Sequence, residues 1–342
     1  MQPKMKRIMI PGITKGTVII VLFMLILGVA KMIFLAQSFM VATGLTPMTA
    51  YKLIFNTGVD LKSQDGRTNI LLLGIGGGSH EGADLTDTIL VLTFDIHKQK
   101  TAMISVPRDL WNDTLKDKIN SAYHYGEVKK EGGGLTLAKV LVKDVVGLPI
   151  HYVLLIDFSG FESTIDIVGG IDITIPKTFT DSEFPIAGKE NDLCDGDRTF
   201  ACRYEAVTFI QGIQHMNGER SLTYVRSRHA EGDEGSDFAR GRRQQDVLMA
   251  LLGKIKNPST WVSLSRARSL IEAFDRATTT DMRIGELATV GKAMIKMGTN
   301  ESKRISFVDL LYEPPLWMYG RYTLVPKDSF SAIHEYIQTQ LE

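Results

Sequence analysis

The sequence predicts an α/β protein organised as a three-layer α/β/α sandwich, with a transmembrane helix at its N-terminus. Short apolar runs at residues 69–75, 87–94 and 101–106 are typical of strands that are buried on both faces. Segments with helical spacing, at 135–146 and 238–255, are interleaved with such runs. Strands that alternate with helices usually form a sheet covered by helices on both sides, which predicts the three layers.

The remaining elements continue the alternation. Gly147 should end the helix at 135–146, and Asp281 is a candidate N-cap for a helix at 282–297. Further strands are predicted at 151–156, 171–175, 305–308 and 322–325, and further helices at 161–168, at 259–277 and at the C-terminus. We therefore expect one domain at 68–342, with a helix-rich final part at 256–342.

The N-terminus predicts a membrane anchor. Four basic residues precede an apolar stretch at 17–36 that is interrupted only by Lys31. About 20 apolar residues cross a bilayer, and basic flanks stay in the cytoplasm. A cleaved signal peptide is the alternative, against which the lack of a small-x-small cleavage site argues. We expect a cytoplasmic segment at 1–16, a single-pass signal-anchor helix in the cell membrane at 17–39, a juxtamembrane stalk at 40–67 and an extracytoplasmic domain at 68–342.

Composition excludes a nucleic-acid partner and favours a folded chain. Of the 342 residues, 44% are hydrophobic and 23% are charged, which are globular proportions. Lys+Arg and Asp+Glu both total 39, so no net basic field is available to hold nucleic acid. The two cysteines, Cys194 and Cys202, lie close together in a polar segment. Outside the cytoplasm they predict a disulfide that closes a surface loop.

A run of arginines is the clearest chemical signal. The segment 220–243 contains six arginines and no lysine: Arg220, Arg226, Arg228, Arg240, Arg242 and Arg243. Planar, bidentate recognition of phosphate oxygens favours arginine over lysine. If 224–228 is extended, its two arginines project the same way. A helix that opens at 237 would add N–H groups to the anion site. The alternative is a solvated face paired with acidic residues, which we favour for Arg242 alone.

Acidic residues near the second strand are candidate metal ligands. Asp84 and Asp87 lie between the first two predicted strands, where carboxylates suit a Mg²⁺ ion that also takes phosphate oxygens. The alternative is a turn or helix-cap aspartate. Arg108 follows the third strand at an edge where ligands collect, with Asp109 placed to position it. The glycines at 76–78 lack the ending of a nucleotide P-loop, so we expect a loop there and no ATP.

Together these segments resemble the LytR–CpsA–Psr family of cell-wall glycopolymer transferases. The matching segments lie in the family's order over roughly 68–255: Asp87-Thr-Ile-Leu-Val, Ser105-Val-Pro-Arg-Asp, Lys118-Ile-Asn-Ser-Ala-Tyr, Asp157-Phe-Ser-Gly-Phe, Val168-Gly-Gly-Ile-Asp, Tyr224-Val-Arg-Ser-Arg, Asp237-Phe-Ala-Arg and Arg243-Gln-Gln.

The resemblance implies an apolar cleft for the prenyl chain of a lipid carrier, with its pyrophosphate held among arginines and Mg²⁺ or Mn²⁺. By motif position, Arg108, Arg226, Arg228 and Arg240 hold the pyrophosphate and are catalytic, and Arg243 and Gln244 are expected to bind the pyrophosphate in support of them. Asp87 contacts the metal or helps to activate the acceptor hydroxyl.

The chain departs from the family pattern in two places. Many members carry an acidic residue after the first strand, where this chain has glycines around Gly76. Many also carry an arginine at the position of Leu85. Asp84 is a candidate for the lost carboxylate and is expected at the metal.

The predicted function is that of a metal-dependent phosphotransferase. It would move a phosphate-linked glycopolymer from a polyprenyl-pyrophosphate carrier to a hydroxyl of peptidoglycan or of another envelope glycan, at the surface of a lipid bilayer. The alternatives are a pyrophosphatase, in which water replaces the sugar, and a non-catalytic lipid- or glycan-binding envelope protein. Transcriptional regulation is discounted, since no helix-turn-helix or basic stripe is present.

Overall fold

The computed structural model describes residue 37 and residues 60–342, apart from 78–81, 96–97, 99, 190, 262 and 298–301. The chain divides into two compact units, Met1–Val59 and Asp60–Glu342. Of the first unit only Gln37 is described, and it is helical. The predicted cytoplasmic segment, the signal-anchor helix apart from Gln37, and most of the stalk therefore lie outside the described residues. None of the helices in the described part has the length and apolar character needed to cross a bilayer.

A six-stranded mixed sheet forms the centre of the second unit. Its strands lie in the order β11-β6-β1-β2-β3-β12. Strand β2 runs antiparallel to β1 and β3, whereas β1 and β6 are parallel. The strand bounds in this sheet are β1 Arg67–Ile75, β2 Thr86–Asp95, β3 Lys100–Ser105, β6 Tyr152–Asp157, β11 Thr278–Thr280 and β12 Lys303–Ser306.

Short two-stranded sheets surround the central one. They pair β4 with β5, β7 with β10, β8 with β9, and β13 with β14. Their bounds are β4 Trp111–Asn112, β5 Asp117–Lys118, β7 Ile171–Ile175, β8 Phe179–Pro185, β9 Tyr204–Phe209, β10 Gly212–Met216, β13 Leu311–Tyr312 and β14 Val325–Pro326.

Helices occupy the connections between the strands. Their bounds are α1 Ala122–Lys129, α2 Gly133–Val146, α3 Phe158–Ile167, α4 Gly218–Arg226, α5 Asp237–Lys256, α6 Pro258–Trp261, α7 Leu264–Ala277, α8 Ile284–Met297, α9 Leu316–Tyr319 and α10 Phe330–Leu341.

Side-chain alternation along the strands divides the core between the two faces of the sheet. Leu71 and Val91 belong to a cluster that includes the buried faces of α2 and α10. Their neighbours Ile70 and Leu92 point to the other face, where the cluster includes Val290 of α8. Helices thus cover both faces, as the predicted α/β fold required.

A second core lies beside the sheet. It joins α3, α4 and α5 to β7 and to an aromatic stack, in which the ring centres of Phe179 and Phe209 are 5.1 Å apart. Gly160 lets α3 pack closely against the end of α7, because a Cβ at that position would lie 1.7 Å from the Cβ of Ala277. The second core fixes α4 and α5 relative to the sheet.

The structure corrects three details of the predicted elements. The strand predicted at 322–325 is reduced to the short β14, Val325–Pro326. Asp281 does not cap the helix that follows it: its carboxylate accepts the N–H of Val153 and a hydrogen bond from Lys139. The predicted helix at 259–277 is interrupted and forms α6 and α7.

The predicted disulfide between Cys194 and Cys202 is present, with a Cα–Cα distance of 5.6 Å. Both cysteines lie in a polar loop between β8 and β9.

Candidate active site

Asp87 and Arg108 meet at one edge of the central sheet. Arg108 follows the end of β3, and Asp87 is the second residue of β2. Because β2 runs antiparallel to β1 and β3, it starts at the edge where both neighbours end. Strand pairing therefore brings together two side chains that are 21 positions apart in sequence.

A chain of ion pairs holds Arg108 in place. Its guanidinium donates to Oδ1 of Asp87, and its Nε lies 3.4 Å from Oδ2 of Asp109. Nζ of Lys118 donates to Oδ1 of Asp109 over 2.6 Å. Burial raises the pKa of the Asp109 carboxyl, but the charges of Arg108 and Lys118 outweigh it and hold the pKa below its usual value. Asp109 is therefore ionised at neutral pH and orients Arg108, as predicted.

A cleft of about 160 Å³ opens at this edge. It brings together five residues that were predicted to be catalytic: Asp87, Arg108, Arg226, Arg228 and Arg240. The other residues that line it are Thr88, Phe158, Asp181, Pro185, Val225 and Gln244. Four guanidinium groups around one small cleft create a site for a multiply charged anion.

Arg226 reaches the cleft by a different route from the one predicted. The segment 224–228 is not extended, because Arg226 is the last residue of α4 and Ser227 is its C-cap. Alternation along a strand therefore does not explain why Arg226 and Arg228 share the cleft. The Arg226 guanidinium lies 5.2 Å from the ring centre of Phe158 and 5.7 Å from that of Phe184. These cation–π contacts hold it at the cleft wall.

Arg228 follows the end of α4 and presents an exposed side chain to the cleft. Surrounding protein atoms desolvate its guanidinium even though solvent reaches it. This desolvation, together with repulsion from Arg108 and Arg240, lowers the Arg228 pKa from its ordinary value. Arginine keeps its proton in proteins, so the group remains a cation. A bound anion would relieve the repulsion, which favours a diphosphate over a neutral ligand.

Asp181 is a cleft residue that sequence reasoning missed. Its carboxylate is buried and accepts the N–H of Arg228 over 2.8 Å and the N–H of Glu183 over 3.1 Å. It lies in β8 at a bulge in the pairing with β9. Only the strand's local composition was visible in the sequence, and that gave no sign of burial. Asp181 fixes the backbone that carries Arg228.

Arg243 does not reach the cleft, which corrects the expectation that it contacts the pyrophosphate. Its side chain is 0% exposed. The guanidinium donates to the carbonyl oxygens of Tyr224, Ser227 and Glu234, and to the Glu234 carboxylate over 3.1 Å. It therefore links the end of α4 to the segment that precedes α5. These two helices carry the cleft residues Arg226 and Arg240.

The other two arginines of the run also lie outside the cleft lining. Arg242 pairs with Glu234, in agreement with the acidic pairing favoured for it. Arg220 places its guanidinium 4.0 Å from the ring centre of Phe209 and donates to the carbonyl of Thr208. Of the six arginines in 220–243, three line the cleft.

Helix α5 supplies Arg240 and Gln244, which are one turn apart on the same face. A Cβ at Gly241 would lie 3.1 Å from Oγ of Ser105, so glycine lets this helix approach the end of β3. Gln245 donates to the same hydroxyl over 2.8 Å. Ser236 is the N-cap of the helix, and its hydroxyl accepts the N–H of Ala239. Of the residues of this helix, Arg240 and Gln244 line the cleft, whereas residues 237–239 of its first turn do not.

Of the two carboxylates predicted to bind a metal ion, only one lies where it could do so in the cleft. Asp87 lies in the cleft, and Mg²⁺ is usually bound through one or two carboxylates together with substrate phosphates. Asp84 is placed differently, because its Oδ2 lies 2.6 Å from Nδ1 of His124 and it does not line the cleft. Within the described ranges, one group of three potential ligands lies close together, namely Asp192, Cys194 and Cys202. Its two cysteines are disulfide-bonded and so cannot ligate a metal.

An apolar cleft of about 90 Å³ adjoins the arginine cleft. It lies between the sheet and helices α3, α4 and α5, and its lining includes Leu72, Leu90, Phe161, Leu222 and Leu248. The two clefts share a boundary formed by Thr88, Phe158, Val225 and Gln244. A charged head group and an apolar tail of one ligand can therefore lie in contiguous sites.

Comparison with known proteins gives one consistent family. The LytR_cpsA_psr family model matches residues 46–337. The chain is 30% identical over 238 residues to "Polyisoprenyl-teichoic acid--peptidoglycan teichoic acid transferase TagV" of Bacillus subtilis (strain 168), a match that covers 68% of this chain and 53% of that relative. It is 31% identical over 215 residues to "Regulatory protein MsrR" of Staphylococcus aureus (strain Mu50 / ATCC 700699), which covers 61% of this chain and 56% of that relative.

A solved structure shares the fold. The crystal structure of B. subtilis TagV superposes with a TM-score of 0.57 at 24% identity, and the match covers 82% of this chain and 98% of that one. The two curated relatives, TagV and MsrR, are longer, and the match spans little more than half the length of each.

Proposed function

The chain belongs to the LytR–CpsA–Psr family, and from that premise we propose that it is a membrane-anchored phosphotransferase acting outside the cytoplasm. Its donor would be a polyprenyl-pyrophosphate-linked glycopolymer, and its acceptor a hydroxyl of peptidoglycan or of another envelope glycan. The printed name of TagV, a teichoic acid transferase, supports this class of reaction. The observation that carries the proposal is the arginine cleft that continues into an apolar cleft.

The shape of the two clefts matches the two ends of such a donor. The diphosphate would lie among Arg108, Arg226, Arg228 and Arg240, where its charge offsets their mutual repulsion. The first prenyl units would enter the apolar cleft, and each buried CH₂ would contribute about 0.8 kcal/mol. The ligand therefore needs both a charged head and an apolar tail, which distinguishes it from a soluble nucleotide.

The reaction exchanges a phosphoanhydride bond for a phosphodiester. The acceptor hydroxyl oxygen forms a bond with the glycan-side phosphorus, the bond between that phosphorus and the bridging oxygen breaks, and polyprenyl phosphate leaves with the bridging oxygen and the bonding pair. The acceptor proton goes to a carboxylate, for which Asp87 is the candidate at the cleft. The arginines stabilise the charge that builds up on the phosphoryl oxygens. Because the carrier is already an activated anhydride, no ATP is required.

A divalent cation fits the proposal as a further part of the site. Mg²⁺ or Mn²⁺ would supply positive charge to the phosphate oxygens. Asp87 is the residue that would hold it, as the alternative to its role as a base, since Asp84 pairs with His124. If Asp87 held the cation, the Arg108 guanidinium that pairs with it would be available to the phosphate oxygens.

Two related activities remain as candidates. Water in place of the sugar would make the protein a pyrophosphatase, and the same arginines would serve that reaction. A binding protein without catalysis would hold the lipid-linked glycan and release nothing. The name of MsrR, a regulatory protein, does not change the proposal, because an arginine cleft that continues into an apolar cleft favours an anion with an apolar tail over DNA.

Product analysis tests the proposal. The full chain, reconstituted in lipid vesicles, is incubated with lipid-linked glycopolymer, peptidoglycan fragments and Mg²⁺. We expect a glycan–peptidoglycan phosphodiester and free polyprenyl phosphate in equal amounts, and EDTA should abolish both. Release of polyprenyl phosphate without the phosphodiester would identify a pyrophosphatase. Tight binding without release would identify a binding protein. Digestion of the C-terminal domain by a protease that is present on only one side of the vesicle membrane would show on which side of the membrane that domain lies.

A further inference from the structure

A group of aromatic side chains lies outside both clefts. We call it the aromatic patch and define it as four residues: Trp111 and Tyr319, which are half-buried against each other, the exposed Tyr322, and the exposed Trp317, which lies two residues before Tyr319 on α9. The rings of Trp111 and Tyr319 are 4.6 Å apart, and Trp317 is 81% exposed. Large exposed aromatic side chains that are grouped together usually mark a binding surface, because burying them in a complex removes apolar area from water.

The patch is physically joined to the arginine cleft. The backbone N–H of Leu324 donates to the carbonyl of Asp109, and the N–H of Trp111 donates to the carbonyl of Leu324. Nζ of Lys118 lies 5.7 Å from the ring centre of Tyr322 and also donates to Asp109, the residue that orients Arg108. The patch therefore begins within a few residues of the proposed reaction centre.

The patch lies on the side of the arginine cleft away from the apolar cleft. The strand residues that line the apolar cleft belong to β6, β1 and β2, whereas Arg108 and Trp111 follow β3, which lies on the other side of β2 in the sheet. In phosphoryl transfer the attacking and leaving oxygens lie roughly in line with the phosphorus. If polyprenyl phosphate leaves toward the apolar cleft, the acceptor must approach from the opposite side. That is the side of Arg108 and the patch.

The polar groups around the patch fit an uncharged sugar. The ionic side chains are paired, Asp113 with Lys116 and Asp117 with Arg321, so their charges cancel locally. Tyr125 also donates its hydroxyl hydrogen to Asp117. A pyranose ring has an apolar face that packs on an aromatic ring, and its hydroxyls need donors and acceptors at the rim. A bilayer surface would select a basic rim, and the core of a protein interface is depleted of charge.

We propose that the aromatic patch binds the sugar rings of the acceptor glycan and guides its hydroxyl to the arginine cleft. This inference rests on the proposed transferase function and specifies the place where its second substrate binds. Trp317 would pack against a sugar ring, and Trp111 with Tyr319 would hold a neighbouring one.

Saccharide binding tests the patch without any need for catalysis. Chitotetraose, a soluble oligomer of N-acetylglucosamine, is titrated into the full chain in detergent, and binding is followed by calorimetry. Trp317→Ala should weaken the affinity about tenfold, the loss of one aromatic contact, and Trp317→Phe should restore most of it. Tyr204→Ala is the matched control, because Tyr204 is an exposed aromatic on a different sheet. Circular dichroism and the thermal midpoint of each variant confirm that it is folded.

Transfer kinetics then separate the acceptor from the donor glycan. For Trp317→Ala we expect the apparent KM for peptidoglycan fragments to rise about tenfold, with kcat and the KM for lipid-linked donor close to wild type. A rise in the KM for the donor instead would overturn the assignment and place the donor glycan on the patch. If wild type catalyses no transfer, the proposed function fails, and the saccharide titration still decides whether the patch binds sugar.

Two further outcomes would overturn the inference. Equal chitotetraose affinity for wild type and Trp317→Ala would remove Trp317 from any saccharide site. Quenching of Trp317 fluorescence by brominated lipids in reconstituted vesicles, without a response to chitotetraose, would identify a membrane contact instead. The quenching measurement compares wild type with Trp317→Phe, so that the fluorescence of the other tryptophans is the same in both and the difference reports Trp317.

Discussion

Lys118 and Asp109 form an ion pair at the boundary between the arginine cleft and the aromatic patch, with 2.6 Å between Nζ and Oδ1. The second carboxylate oxygen of Asp109 lies 3.4 Å from Nε of Arg108. One nearly buried carboxylate therefore holds two cations, of which one faces the proposed phosphate site and the other faces Tyr322. This arrangement has consequences for stability that depend on pH.

Asp109→Asn should destabilise the protein at neutral pH and less so in acid. The folded pKa of Asp109 lies below its unfolded value, so its contribution is present above the unfolded pKa and is lost as pH falls through the folded pKa. At about pH 7 we expect a loss of about 1.5–3 kcal/mol, the range for a hydrogen bond to a charged group. Urea unfolding at about pH 7 and about pH 3 measures the difference. Asp113→Asn, at an exposed ion pair, is the control. A destabilisation that does not change with pH would contradict the role of the charge.

Arg226→Ala combined with Arg228→Ala should reduce glycan transfer by about 10²–10³-fold, the usual cost of removing groups that stabilise transition-state charge. The double variant should also bind geranylgeranyl diphosphate more weakly. Arg268→Ala is the control, because Arg268 is an exposed arginine paired with Glu272 on α7. Transfer rates from lipid-linked substrate and calorimetric titrations provide the two measurements. Wild-type rates in the double variant would exclude these arginines from the site.

Arg243→Met should lower the free energy of unfolding by about 3–5 kcal/mol, because it leaves the Glu234 carboxylate without its fully buried partner. Arg242 pairs with the same carboxylate but is partly exposed, so Arg242→Met should cost no more than about 1 kcal/mol. Denaturant unfolding of both variants gives the comparison. A similar cost for the two substitutions would show that burial of Arg243 does not determine its contribution.

Leu248→Phe should weaken binding of the lipid tail and leave head-group binding unchanged. Leu248 lines the apolar cleft, and a larger side chain there would exclude part of a prenyl unit. At about 0.8 kcal/mol for each excluded CH₂, the affinity for geranylgeranyl diphosphate should fall about tenfold. Inorganic pyrophosphate, which has no tail, should bind as it does to wild type.

Leu252→Phe provides the matched control for this prediction. Leu252 is one turn further along α5, is also partly buried and does not line the apolar cleft. An equal effect of the two substitutions on both ligands would argue that packing of the helix, rather than tail binding, is being measured.

Much of the fold could be predicted from local patterns. Apolar runs predicted β1, β2, β3 and β6 within one or two residues, and helical spacing predicted α2 and α5. Other predictions were less accurate, and two of them show why. The predicted strand at 322–325 became the short β14, and Asp281 took a hydrogen-bonding role in the sheet instead of a cap. In both cases long-range pairing decided between conformations that the local sequence allows equally.

The active site likewise has features that the sequence predicts and features that only the fold decides. The sequence by itself determined that the chain is an α/β protein, that it carries an arginine-rich segment suited to phosphate, and that its cysteines could pair. Only the tertiary structure decided which arginines meet. Arg240 and Arg243 lie on the same helix, yet the first lines the cleft and the second is buried against carbonyl oxygens. A side chain's partners depend on how the helix packs on the sheet, and that packing is set by contacts between residues distant in the chain.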